Sequence, residues 1–156
     1  ELDGATASVD LAALARNAGA EDAQAAGQRG DELEVSAPGA LLVRGHPVLL
    51  DLLLRNLIEN ALKHTPARTR IAVQMGVGGG EHGAWLQVCD NGARVVAAGD
   101  AVAAVPVAVD SLHLGHEIVA RVAQVHRARF GKAPAPAPFT TCYRLDFARE
   151  SLLTAG

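Results

Sequence analysis

Four polar side chains within Leu52–Pro66 recur at spacings that put them on one side of a helix: Asn56, Asn60, Lys63 and His64. With Asn56 at zero, a turn of about 100° per residue puts Asn60 at roughly 40°, Lys63 at roughly −20° and His64 at roughly 80°. Carboxamide oxygens suit Mg²⁺, lysine carries charge for phosphate, and histidine can donate to phosphate. The pattern indicates a site for a nucleotide triphosphate with its metal. The alternative is a solvated helix face, although paired asparagines are poor helix formers.

A second polar group ends an apolar run some thirty residues later. Asp90, Asn91 and Gly92 follow Leu86–Cys89, which alternates like a strand. Asp-Asn-Gly is also a common hairpin turn. By itself this group is therefore open to either interpretation, a turn or a site.

The elements that must position these residues follow from hydrophobic spacing and capping signals. The predicted helices run from Leu11 to Gly27 or Gly30 with Asp10 as cap, over Pro47–His64, and from Ser111 to about Arg127. The predicted strands are Ala7–Val9, Glu32–Ser36, Ala40–Arg44, a hairpin of Arg70–Val77 with Ala84–Asp90, and Thr140–Phe147. The stretch KAPAPAP is predicted as a loop. This mixture predicts a two-layer α/β sandwich, with helices on one face of a mixed sheet.

Composition bounds the remaining possibilities. A chain of 156 residues that is 49% hydrophobic can bury the core of one domain. A net charge of −3 gives no basic patch for nucleic acid. No apolar run reaches the length of a membrane span. Cys89 and Cys142 lie in apolar strands, and we expect buried free thiols.

The remaining histidines are expected to be structural. We predict surface or loop positions for His46, His82 and His126. His113 and His116 stand three residues apart at a helix start, but no third metal ligand is evident beside them.

The segment NLIENALKHTP resembles the N box of the ATP-binding domain of bacterial sensor histidine kinases, which share a superfamily with gyrase, MutL and the ninety-kilodalton heat-shock chaperone. The resemblance implies the Bergerat-type ATP-binding fold. It also implies that Asn60 binds Mg²⁺ on the ATP phosphates with help from Asn56, and that Lys63 and His64 contact the nucleotide. Glu59 matches a carboxylate that activates water in the superfamily's ATPases, which makes it a candidate catalytic residue.

Asp90 and Gly92 resemble the family's first glycine box, Asp-x-Gly-x-Gly. There the aspartate accepts from the exocyclic amine of adenine. The second glycine of that box is Arg94 here. Of the second glycine box, which cradles the triphosphate at a helix N-terminus, Leu114 and Gly115 remain as candidate ATP-binding residues.

Three further stretches bear on the resemblance. Residues 91–112 correspond to the ATP lid but lack its aromatic residue and its glycine pair. Ser111 and His113 would crowd the phosphate cradle. Phe139 replaces a glycine before the closing strand.

The resemblance implies one catalytic domain, residues 1–156, as a fragment of a longer kinase. We therefore expect a cytoplasmic domain of an inner-membrane sensor that binds Mg-ATP and phosphorylates a histidine of its own upstream dimerisation domain. The partner would be a response regulator. The fragment would be monomeric, and the full-length protein a homodimer. The alternative is a degenerate signalling module that keeps the kinase fold, binds nucleotide weakly or not at all, and acts through domain contacts.

Overall fold

The computed structural model describes residues 6–37, 39–65, 68–78, 82–92 and 116–153, without the side chains of His64 and His82. The elements in chain order are β1 (Ala7–Asp10), α1 (Leu11–Arg29), β2 (Glu32–Ser36), β3 (Leu42–Gly45), α2 (Pro47–His64), β4 (Arg70–Val77), β5 (His82–Asp90), α3 (helical over 116–125), β6 (Arg129–Ala133), β7 (Thr141–Ala148), a 3-10 turn (Arg149–Ser151) and β8 (Leu152–Leu153). Among the described residues no helix is long and apolar enough to cross a membrane.

Helix α1 begins and ends at the residues that the sequence predicts. The Asp10 carboxylate caps it by accepting from the amide of Ala12 at 3.1 Å, and it also accepts from the amide of Leu41 at 2.9 Å. Gly30 ends the helix with a φ of 81°, which glycine adopts at little cost. Helix α2 has Pro47 in its first turn, where the missing N–H costs nothing.

The main sheet has five strands in the order β2-β4-β5-β7-β6. Strand β2 pairs with β4 in parallel, and the other neighbours are antiparallel. A small sheet in the order β1-β3-β8 lies apart from it. The helices cover one face of the mixed sheet, so the predicted two-layer sandwich is confirmed.

The core lies between α1, α2, α3 and the inner face of the main sheet. Alternate residues of the strands point into it because successive side chains of a strand face opposite ways. The buried apolar residues include Ala12, Ala15, Leu50, Leu53, Leu54, Leu57, Ile58, Ile71, Val73, Leu86, Val88, Val119 and Leu145.

Two strands were not predicted from the sequence. Strand β6 covers Arg129–Ala133, at the edge of the sheet, where its Gly131 and Lys132 are exposed. An edge strand that is only half covered shows little alternation of apolar and polar residues, which is the pattern that predicts a strand. Strand β8 is only two residues long, and its pairing with β3 is wholly non-local.

The expectation of free thiols is wrong, because a disulfide joins Cys89 to Cys142. The register of β5 and β7 places the two cysteines directly opposite each other, with 4.1 Å between their Cα atoms. Cross-strand register depends on contacts distant in sequence, so the separate strand patterns could not show this pairing.

His46 and His126 lie in the segments that border α2 and α3, so the loop part of the expectation holds and the surface part is wrong. His46 and His126 are buried, not on the surface. His126 Nε2 accepts from the amide of His46 at 3.0 Å, and its Nδ1 lies 2.8 Å from the carbonyl of Val122. Both ring nitrogens thus contact backbone, and burial lowers the pKa of His126 while the carbonyl of Val122 opposes that shift.

Candidate functional site

Helix α2 buries one face and presents the other, as its spacing predicts. Of the side chains on the polar side, Lys63 and Glu59 are exposed and Asn56 is half-buried. Asn60 lies at the boundary and is only 9% exposed. Its position gives the second asparagine a different environment from the first.

The Asn60 amide nitrogen is buried, and among the described residues it has no hydrogen-bond partner. Buried polar side-chain atoms in native proteins are nearly always paired, and an orphan at such a position calls for an explanation. Oxygen and nitrogen of a carboxamide are assigned from their partners. The unpaired nitrogen does not favour this assignment of the Asn60 amide over the flipped one. A ligand or metal with its water is the kind of group that would satisfy the buried amide.

Asn56 behaves differently. Its Nδ2 donates to the carbonyl of Leu52, one turn earlier, at 2.8 Å. This bond occupies the amide nitrogen within the helix. A role for Asn56 at a metal would therefore rest on its oxygen.

The end of β5 lies against the residue that follows α2. A Cβ added to Gly92 would lie 2.6 Å from Thr65 Cβ and 2.9 Å from Thr69 Oγ1. Only glycine allows this approach. Thr65 is the C-cap of α2, and its hydroxyl donates to the carbonyl of Ala61 at 2.6 Å. The two sequence motifs thus meet in space.

Asp90 is 4% exposed and strongly bonded. Its Oδ1 accepts from the amide of Gly92 at 3.1 Å. Its backbone carbonyl accepts from the amide of Thr140 at 2.8 Å and from the Thr140 hydroxyl at 3.2 Å. These bonds hold the strand end, and with it the carboxylate, in one position.

Glu59 faces α1. Burial raises the pKa of Asp22, and the negative charge of Glu59 raises it further. The catalytic role of Glu59 stays a prediction.

Several predicted site residues lie outside the described part of the chain. These are the side chain of His64, the glycine-box residues Leu114 and Gly115, and the lid from residue 93 onward, including Arg94, Ser111 and His113. His116, at the start of the described part of α3, packs its ring against Tyr143 at 4.3 Å and Phe130 at 5.3 Å between centroids. Within the described ranges no three His, Cys, Asp or Glu side chains are grouped to hold a metal.

Phe139 stands where the resemblance expects glycine. The Arg70 guanidinium carbon lies 5.8 Å from the centroid of its ring. The Phe139 ring thus lies beside Arg70, at the start of β4. The neighbours that sequence reasoning missed are Thr65, Thr69 and Thr140. Only Thr140 carried a signal, as part of the FTT stretch.

Similarity to solved structures bears on the fold. The catalytic domain of the histidine kinase ThkA superposes with a TM-score of 0.72 over 92% of this chain and 97% of its own, at 12% identity. The cytoplasmic segment of the histidine kinase QseC gives 0.68 over 91% and 77%, at 21% identity. The ATP binding domain of PrrB from Mycobacterium tuberculosis gives 0.66 over 92% and 97%, at 20% identity.

The chain has the fold of a histidine kinase catalytic domain. No protein-family model and no curated protein sequence matches it. The histidine kinase fold explains why the C-terminal half of α2 and the end of β5 come together: the sheet order sets β5 beside β4, and β4 follows directly from α2.

Proposed function

We propose that this chain is the ATP-binding catalytic domain of a sensor histidine kinase and that it binds Mg-ATP beside the C-terminal half of α2. The observation that carries the proposal is the buried Asn60 amide nitrogen, unpaired among the described residues, on the same helix end that Gly92 approaches. A buried amide without a partner fits a ligand that brings its own acceptors and donors. The histidine kinase fold supports the same site.

The polar side chains of the proposed site would serve the metal at one end and the adenine base at the other. Asn60, with Asn56, would hold Mg²⁺, a hard cation that takes carboxamide oxygen together with water and phosphate oxygen. When bound, the metal would neutralise charge on the phosphates. Lys63 and His64 would contact phosphate. Asp90 would accept from the exocyclic amine of adenine.

Within this proposal the residues position and bind rather than react. The exposed Lys63 supplies charge near the phosphates without being desolvated. The bonded Asp90 keeps a carboxylate at the base. Residues 91–112 would form the lid, and Leu114 and Gly115 would lie at the triphosphate. The acceptor would be a histidine of an upstream dimerisation domain in a homodimeric, membrane-anchored sensor, and the phosphoryl group would pass on to a response regulator.

Calorimetric titration with Mg-ATP and Mg-ADP tests the proposal. We expect a dissociation constant below about a millimolar, abolished by Asn60→Asp and by Asp90→Ala. Asn17→Asp on the exposed face of α1 and Asp146→Ala on the far face of the sheet are matched controls that should leave binding unchanged.

Absence of heat at millimolar nucleotide would contradict the proposal. It would favour the alternative, a signalling module that keeps the fold and acts through domain contacts. The sequence departures at Arg94 and in the second glycine box motivate that alternative.

A further inference from the structure

Two charged side chains at the end of α1 form a pair beneath the site. Arg29 is the last residue of α1, and Asp31 comes just before β2. The Asp31 side chain is 0% exposed and the Arg29 side chain 31%. Arg29 Nε lies 3.3 Å from Asp31 Oδ2, an ion-pair contact. A buried carboxylate needs such partners to offset its lost hydration.

Each member of the pair holds one end of the connection between α2 and β4. Arg29 Nη2 donates to the carbonyl of Thr65. Asp31 Oδ1 accepts from the amide of Thr69 at 2.7 Å. The amide of Glu32 adds a bond to the carbonyl of Thr69 at 3.0 Å. Both ends of this connection are therefore fixed to the junction of α1 and β2.

Gly92 packs on these same two threonines. An added Cβ would lie within 2.9 Å of both Thr65 and Thr69, so the backbone of Gly92 rests directly on them. The amide of Gly92 in turn donates to Asp90 Oδ1 at 3.1 Å. A displacement of either threonine would therefore move the amide that orients the Asp90 carboxylate.

We propose that Arg29 and Asp31 are positioning residues for Asp90 and thereby set the preference of the site for adenine over guanine. The inference rests on the proposed function. Neither side chain needs to contact the nucleotide, because both act through the two threonines and Gly92. An acceptor discriminates between an amine and a carbonyl on a base only when its position is fixed, and small displacements weaken such recognition strongly.

Asp10 provides a matched control at the other end of α1. It too is a carboxylate that accepts backbone amides from two places, Ala12 and Leu41. The length of α1, 19 residues, separates it from Arg29 by roughly 28 Å. Asp10→Ala should lower the melting temperature by loss of the cap, without touching the connection that carries Thr65 and Thr69.

The experiment measures dissociation constants for Mg-ATP and Mg-GTP by calorimetry on the wild type, Asp31→Ala, Arg29→Ala, Arg29→Lys and Asp10→Ala. We expect Asp31→Ala and Arg29→Ala to reduce the ATP-to-GTP affinity ratio about tenfold. Asp10→Ala should keep the wild-type ratio, and Arg29→Lys should restore part of it. Arg29→Lys keeps a positive charge beside the buried Asp31, so this variant should fold even if the alanine variants do not.

Amide hydrogen exchange of nucleotide-free protein tests the mechanical link separately. Exchange at Asn91 and Gly92 should accelerate in Arg29→Ala and Asp31→Ala but not in Asp10→Ala. ATP binding with an unchanged affinity ratio in both variants would overturn this inference and leave the proposed function standing. A wild type that binds neither nucleotide would overturn both.

Discussion

The base side and the metal side of the candidate site are built in opposite ways. On the base side, Asp90 and Gly92 are held by hydrogen bonds and close contacts from Thr65, Thr69 and Thr140. On the metal side, the Asn60 amide nitrogen is buried with no partner in the described part of the chain, and Lys63 is exposed. In the proposed site, the fold itself completes the base side, whereas the metal side would be completed by the ligand.

This contrast has a thermodynamic consequence. A residue that completes the fold contributes to the free energy of unfolding, so its replacement costs stability. A residue whose buried polar group is paired only by a ligand adds little to the free energy of unfolding or lowers it, because the unpaired group carries a desolvation penalty. Replacements on the two sides should therefore change stability with opposite sign.

The largest effect is expected on the base side, at Gly92. Gly92→Ala would place a methyl group 2.6 Å from Thr65 Cβ and should cost about 1–3 kcal/mol by overpacking. Gly131→Ala on β6 is the control, because an added Cβ there meets nothing within 4 Å. Urea unfolding of the two variants measures the difference. Equal stabilities would show that the end of β5 is not closely packed and would remove the contrast.

Asn60→Ala should have the next largest effect, with the opposite sign. The change removes the orphaned amide and introduces a better helix former, so we expect a gain of about 1 kcal/mol together with loss of Mg-ATP binding. Thermal unfolding and calorimetric titration of the same samples provide both readouts. A clear loss of stability would mean that Asn60 belongs to the fold, like the base side.

The sequence predicted the polar face of α2 better than the surroundings of Asp90. A helix is a local structure, so the spacing of Asn56, Asn60 and Lys63 could be converted directly into a face. The surroundings of Asp90 come from distant elements: Arg29, Asp31, Thr65 and Thr69 are unremarkable in their own stretches, and only Thr140 carried a signal. The Asp-Asn-Gly stretch was open to interpretation as a turn or a site, and Gly92 lies in close approach to Thr65 and Thr69.

The fold shows the same difference between features set locally and features set by distant residues. Helix boundaries could be read from Asp10, Gly30 and Pro47, since caps and prolines act within one turn. Strand β6 and the cross-strand position of Cys89 could not be read, because edge strands and register are set by partners far along the chain.

Asn56→Ala sharpens the contrast within the metal side itself. The Asn56 amide nitrogen bonds to the carbonyl of Leu52, so no orphan is relieved by its removal. We expect a gain of about 0.5 kcal/mol from helix propensity alone, smaller than the gain from Asn60→Ala. Thermal unfolding of both variants under one condition decides this. A larger gain in stability for Asn56→Ala than for Asn60→Ala would contradict the assignment of the unpaired-amide penalty to Asn60.

The smallest effect concerns Glu59 and Asp22, where burial and the nearby negative charge raise the pKa of Asp22. In the unfolded chain the Asp22 carboxyl loses its proton near pH 4. In the folded protein it keeps the proton to a higher pH, so stability falls as pH rises from about 4 through the raised pKa of Asp22. Glu59→Gln removes one cause of the shift. We expect it to reduce this fall and to gain at most about 0.5 kcal/mol at neutral pH. Melting temperatures from pH 4 to 7, compared with Glu150→Gln, measure it. An unchanged pH profile would separate Glu59 from Asp22 and reopen the question of which surface its carboxylate faces.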